Sequence, residues 1–145
     1  MKKSVGRMVS ILYRRHVVYM NDVLKEVDIT SSEQPILMYL YSHEGVTQEE
    51  ITKYLSIDKG STARNIHSLI NKGFVRREKN SVDKRCNVLL LTEKGWSIEK
   101  KMKKKLQRWS DFLTEDLDPE TERLLFEGLE QMVEKLEGID LRNEV

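Results

Sequence analysis

Between Lys59 and Lys72, a helical rotation of about 100° per residue places Ala63, Ile66, Leu69 and Ile70 on one side and Ser61, Arg64, Asn65, Ser68 and Lys72 on the other. The outer set combines a guanidinium, an amide, hydroxyls and an ammonium, with no acid after Asp58. Such groups pair with base edges in the major groove of duplex DNA and with backbone phosphates; an ordinary solvated face more often mixes glutamates with lysines. Arg64 can take guanine in a bidentate contact or grip a phosphate, and the sequence leaves both open. Thr62 lies nearer the buried edge of the same helix and is the weaker member of the set. The free amides at the helix starts near Thr47 and Lys59 favour phosphate as well. A second cationic group follows, with Lys79, Lys84 and Arg85 at or beside a polar turn. Arginine suits the narrow, electronegative minor groove, and Asp83, two residues from Arg85, can hold its guanidinium in one direction or form only an exposed ion pair.

These side chains need a scaffold, and the apolar spacing supplies one. From Val5 to Val27 apolar residues recur every three or four positions, which predicts one long amphipathic helix. Ile29-Thr30-Ser31-Ser32-Glu33 offers a capping box for a second helix ending near Glu44-Gly45, with Pro35 able to shift its start to Ser32. Thr47-Gln48-Glu49-Glu50 repeats the box for a short third helix, and Ser56-Ile57 makes the turn. Asp58 caps the next helix, which stops at Gly73. Residues 74–79 and 87–91 read as two strands around the polar turn. Thr92-Glu93-Lys94 then starts a helix carrying Ile98, Met102, Leu106, Trp109, Leu113 and Leu117, and Asp118-Pro119 opens a last one whose stripe continues to Ile139. The expected fold is mainly α with a small β wing: a winged helix-turn-helix core flanked by N- and C-terminal dimerisation helices. The expected divisions are 1–29, 30–95 and 96–145.

A chain of 145 residues, 39% apolar and 34% charged, has a small or shared core, and three long amphipathic helices imply pairing between two copies. Net charge is only +1, yet residues 58–85 carry eight basic and three acidic side chains, residues 93–108 seven and two, and residues 110–145 three and twelve. One part can face a polyanion while another avoids it. No stretch is apolar enough to span a membrane and the first residues lack a signal-peptide core, so a cytoplasmic protein is expected. The single cysteine excludes an internal disulfide. His16, His43, His67 and Cys86 form no recognised nucleophile–base pair, and neither a phosphate-binding glycine loop nor metal-ligand spacing is present. Catalytic residues, a metal and a cofactor are therefore not expected.

The motifs Ile29-Thr30-Ser31-Ser32-Glu33-Gln34, Asp58-Lys59-Gly60-Ser61-Thr62-Ala63-Arg64 and, most specifically, Asp83-Lys84-Arg85 leading to Leu91-Thr92-Glu93-Lys94-Gly95 resemble the MarR family of bacterial winged-helix regulators over nearly the whole chain. The resemblance implies a homodimer with interlocked terminal helices, a recognition helix in each major groove, and Arg85, oriented by Asp83, in each flanking minor groove. It implies binding to a pseudo-palindromic duplex operator and repression of transcription relieved by a small aromatic or lipophilic effector. Tyr13, His16, Tyr19, Met38 and Trp96 are candidates for the effector cleft, although aromatic and Met residues at helical spacing are more often core. Oxidant-sensing relatives carry a reactive thiol in the first helix, where this chain has none. Cys86 beside Lys84 and Arg85 would have a lowered thiol pKa if exposed, while as a strand residue it has an even chance of pointing inward. The alternative to a DNA-binding regulator is a winged-helix module that holds a protein partner through the same surface.

Overall fold

The computed structural model describes residues 3–144 and divides into two compact units that meet at Gln107 and Arg108. The first holds α1 (Val5–Val23), a 3-10 turn (Lys25–Val27), α2 (Gln34–Ser42), α3 (Gln48–Leu55), α4 (Lys59–Asn71), strands β1 (Val75–Lys79) and β2 (Asn87–Leu91), and α5 (Glu93–Ser97). Helix α6 (Glu99–Thr114) crosses the junction, and α7 (Pro119–Leu136) and the short α8 (Leu141–Glu144) complete the second unit. The described residues are mainly helical with one two-stranded antiparallel sheet, the winged helix-turn-helix arrangement expected.

The turn from α4 into the wing follows from one glycine. Gly73 adopts φ +83, and the amides of Gly73 and Phe74 donate to the carbonyls of Ile70 and Leu69, both at 3.0 Å. This is the Schellman closure, which satisfies helix-end carbonyls and packs the residue after the glycine back on the last turn. Phe74 is consequently buried, and the strand begins one residue later than the sequence predicts. The hairpin pairs Val75 with Leu91 and Lys79 with Asn87. Its other edge is covered where Val46 bridges to Leu89, and Glu44 accepts the Leu91 amide at 2.7 Å. Gly95 completes the closure: a Cβ there would stand 2.3 Å from the Phe74 carbonyl oxygen, so α5 approaches the strand only because that atom is missing.

The core sits in the first unit, where Leu37, Leu40, Ile51, Ile66, Leu69 and Phe74 are fully buried. Among the described residues, none after Met102 is buried. Helix α7 leaves Leu124, Phe126, Val133 and Leu136 in solvent, and α1 leaves Val5, Tyr13 and Val18.

Several boundaries differ from the sequence reading. The first helix ends at Val23, because Leu24 caps it and the chain tightens into the 3-10 turn that Asp28 closes at φ 60. The Thr30–Glu33 capping box forms, with the Thr30 amide donating to Glu33 Oε1 at 2.9 Å and the Glu33 amide to Thr30 Oγ1 at 3.2 Å, yet regular helix begins only at Gln34 beside Pro35. The helix expected from Thr92 is split at Ile98 into α5 and α6, and α7 stops before Gly138, whose φ is +69.

Glu33 is only 1% exposed, and its carboxylate accepts from Lys72 Nζ at 2.8 Å. Burial pushes its pKa up, but the Lys72 ammonium, the Ser68 hydroxyl and the Thr30 groups outweigh burial, so the carboxyl lies below its ordinary value of 4.5. Since the folded chain binds this proton less readily than the unfolded one, the stabilisation is complete above pH 4.5 and is lost as pH falls through the lower folded value. Thermal melts on acidification test this: Glu33→Gln is expected to start from a lower Tm and to lose less of it below that pH than the wild type. An equal acid slope in both proteins refutes the assignment.

Candidate nucleic-acid interface

The start of α4 is organised by Asp58. Its Oδ1 accepts the Ser61 amide at 2.8 Å and its Oδ2 the Ser61 hydroxyl at 2.6 Å. The same hydroxyl oxygen accepts from Nη2 of Arg64 at 3.1 Å, so one serine links the cap to the guanidinium. The Ser61 hydroxyl first, and its amide next, hold the Asp58 carboxyl below the usual range, which keeps the cap ionised. Gly60 lies under this arrangement; a Cβ there would stand 3.1 Å from Arg64 Nη1.

The wing tip is a second carboxylate-centred cluster. Asn80 Oδ1 accepts the amides of Val82 and Asp83 at 2.8 and 3.3 Å, folding the turn locally. Asp83 Oδ1 then accepts both the backbone amide and Nε of Arg85 at 3.1 Å, and Oδ2 accepts Nη2 at 3.3 Å. Arg85 is thus gripped at its fork while its side chain remains 90% exposed. Lys84 beside it is exposed as well.

The remaining expected residues divide into two groups. Lys59 and Arg64 are exposed, and Ser61, Asn65 and Ser68 half-buried. Thr47 forms its capping box, with its amide donating to Glu50 Oε2 at 2.7 Å and its hydroxyl accepting the Glu50 amide at 3.1 Å. Thr62 is a correction: it is fully buried, and its hydroxyl donates to the Asp58 carbonyl at 3.0 Å. Lys72 is another, because its ammonium turns from the outer face to Glu33 and to the Asp28 carbonyl. A concavity of about 600 Å³ lined by Gln48, Glu49, Thr52, Lys53 and Lys59 lies where α3 and α4 begin. Gln48 and Lys53 were not singled out in the sequence; the i, i+4 pair Gln48 and Thr52 on one helix face was the available signal.

Cys86 departs from both sequence expectations. It is exposed in the bend just before β2, and its thiol meets Asp83 Oδ2 at 3.7 Å. The Asp83 charge, ahead of desolvation and of Glu49, pushes the thiol pKa up, opposite to the lowering expected from its basic sequence neighbours. Among the described residues, no group of three His, Cys, Asp or Glu side chains is arranged to hold a metal ion. No described helix is long and apolar enough to cross a membrane.

The five effector-cleft candidates lie on α1, α2 and α5. Tyr13 is exposed on α1, His16 is half-buried with burial lowering its imidazole pKa, and the Tyr19 hydroxyl donates to the Lys105 carbonyl at 3.3 Å. Trp96 lies tilted against Tyr41, ring centres 5.5 Å apart. Met38 borders a cavity of about 260 Å³ with Gln34, Pro35, Tyr39, Ser42 and Tyr54, a lining that includes none of the other four candidates.

Residues 27–85 match the MarR family. A MarR transcriptional regulator from Methanosarcina mazei Go1 is 37% identical, with 90% of this chain and 94% of that one covered and a TM-score of 0.86. The multiple antibiotic resistance protein MarR of Escherichia coli is 31% identical over 65% of each chain. A crystal structure of a mutant MarR from E. coli complexed with operator DNA is 28% identical, with 89% of this chain and 92% of that one covered and a TM-score of 0.77. The helix-turn-helix, the wing and these likenesses together place the chain in the MarR family.

Proposed function

We propose that this protein is a homodimeric, sequence-specific DNA-binding regulator that represses transcription from a pseudo-palindromic operator. The observation that carries the reading is the pairing of two cationic prongs on one reading head: Arg64 held through Ser61 by Asp58, and Arg85 gripped by Asp83 at an exposed wing tip. Helix α4 enters the major groove, where Lys59, Ser61, Arg64 and Asn65 reach bases or phosphates, and Lys84 and Arg85 reach the flanking minor groove. The operator-bound relative supports the same use of the fold. Buried Thr62 drops out of the contact set.

The exposed apolar stripes of α1 and α7 support a second copy as their cover, with 1–29 and 96–145 as the pairing regions around a 30–95 reading head. Two-fold pairing sets the distance between heads, and a small aromatic or lipophilic effector acts in this reading by favouring a spacing that mismatches successive grooves. The protein works in the cytoplasm and carries out no bond chemistry.

Binding to an operator duplex is expected to weaken steeply with salt through counterion release. Arg85→Ala should lose about tenfold in affinity and reduce the log–log salt slope by about 1. Asp83→Asn separates orientation from charge: removing a negative group should tighten binding if charge alone matters, whereas loss of the hold on Arg85 should weaken it, and weaker binding is expected. Tighter binding by Asp83→Asn overturns the orienting role. Sedimentation checks the assembly, with twice the chain mass expected for the wild type and the single-chain mass for Leu125→Glu with Leu129→Glu. A wild type that sediments as one chain rules out the dimer.

A further inference from the structure

Lys72 ends the recognition helix, and its side chain leaves the outer face that the helical period assigns to it. Nζ donates to the Asp28 carbonyl at 2.9 Å and to Glu33 Oε1 at 2.8 Å, and lies 3.7 Å from Asp28 Oδ1. The side chain is 23% exposed against 1% for Glu33. The partners are thirty-nine and forty-four residues away in sequence, on the segment that joins α1 to α2. The other end of the same residue is tied too: the Lys72 carbonyl accepts Nζ of Lys94 from α5 at 2.6 Å, a cation at the negative pole of the helix. Lys94 also stands over the Phe74 ring, 4.5 Å from its centre.

The two ends of α4 are therefore held differently. At its N-terminus the bonds of Asp58 run to Ser61 and Thr62 in the first turn and reach Arg64 through the Ser61 hydroxyl. At its C-terminus one residue is fastened to the chain entering α2 and to the chain entering α6. A helix of thirteen residues is about 20 Å long, so a small rotation about the fastened end is a large displacement at the reading end. Hydrogen-bonded buried ion pairs add little stability, and their best-attested use is to select one registry over its neighbours.

We propose that Lys72, fastened to Glu33 and Asp28 by its ammonium and to Lys94 by its carbonyl, is a positioning residue that fixes the tilt of α4 against the flanking helices, and through it the half-site spacing that the dimer accepts. The proposal rests on the DNA-binding reading above. It assigns Lys72 no contact with DNA.

The test uses the full chain and self-complementary duplexes built from its selected half-site, at the selected spacing and with one base pair inserted or removed. The variant is Lys72→Met with Glu33→Gln, which removes the pair without leaving a buried charge alone. Its preference for the selected spacing is expected to fall by about fivefold, within the range by which intervening residues alter coupling between sites. Its salt slope should equal that of the wild type. Lys94→Met, which cuts the other tie and keeps Glu33 paired, is expected to relax the preference in the same direction, so the test stands if the double variant does not fold. A folded variant that keeps the wild-type spacing profile overturns the proposal, and so does a slope lowered by about 1 in the double variant, which would make Lys72 a phosphate contact. A wild type that binds no duplex ends the DNA-binding reading and this proposal with it; a wild type that binds every spacing alike, or a selective wild type beside an equally selective variant, ends the proposal alone.

Discussion

A guanidinium on a long side chain discriminates little unless something holds its fork, and in this protein a carboxylate holds one in each prong. Asp83 takes three donors from Arg85, one of them the backbone amide that closes the wing tip. Asp58 reaches Arg64 indirectly, through the Ser61 hydroxyl, while capping the helix that carries both. Each acid thus fixes local backbone and a cation together, and each is held below the ordinary carboxylate pKa by the bonds it accepts. These contacts are exposed, so they contribute little to folding; their effect is to narrow the directions available to the arginines.

The prongs keep their relation to each other because the path between them is closed by backbone contacts. The Schellman turn at Gly73 directs the chain from α4 into β1, and the side-chain-free Gly95 lets α5 pack on the Phe74 carbonyl. The Val46 bridge covers the free edge of β2 and joins the segment before α3 to the wing. The second unit is built on the opposite principle. No described residue of it is buried, and Leu124, Leu125, Phe126 and Leu136 of α7 stand exposed, which supports the proposed second copy as their cover.

What was legible in the sequence was local. The Thr47–Glu50 box and the Asp58 and Asp118 caps join residues three apart, and each forms as expected. The Asp83–Arg85 contact spans two residues and was equally visible. Periodicity failed where a distant partner overrides a helix face. Lys72 belongs to the outer face by rotation, yet the acid it needs is on another element. Thr62 was placed near the margin of the stripe, and a serviceable bond to the Asp58 carbonyl let it be buried. Cys86 was read against its basic neighbours in sequence, whereas the fold brings the Asp83 carboxylate to 3.7 Å from the sulfur. The cleft candidates were chosen by residue type, which does not specify how side chains of α1, α2 and α5 come together.

If two reading heads at a fixed separation act together, as proposed, both must engage a two-fold duplex at once, so the sequences that the purified chain selects from a random pool of duplexes decide the matter. One inverted-repeat motif is expected, its half-sites about 10 base pairs apart from centre to centre or a multiple of that. Recovery of no enriched motif through successive rounds, or of a single half-site without a symmetric mate, is incompatible with paired heads.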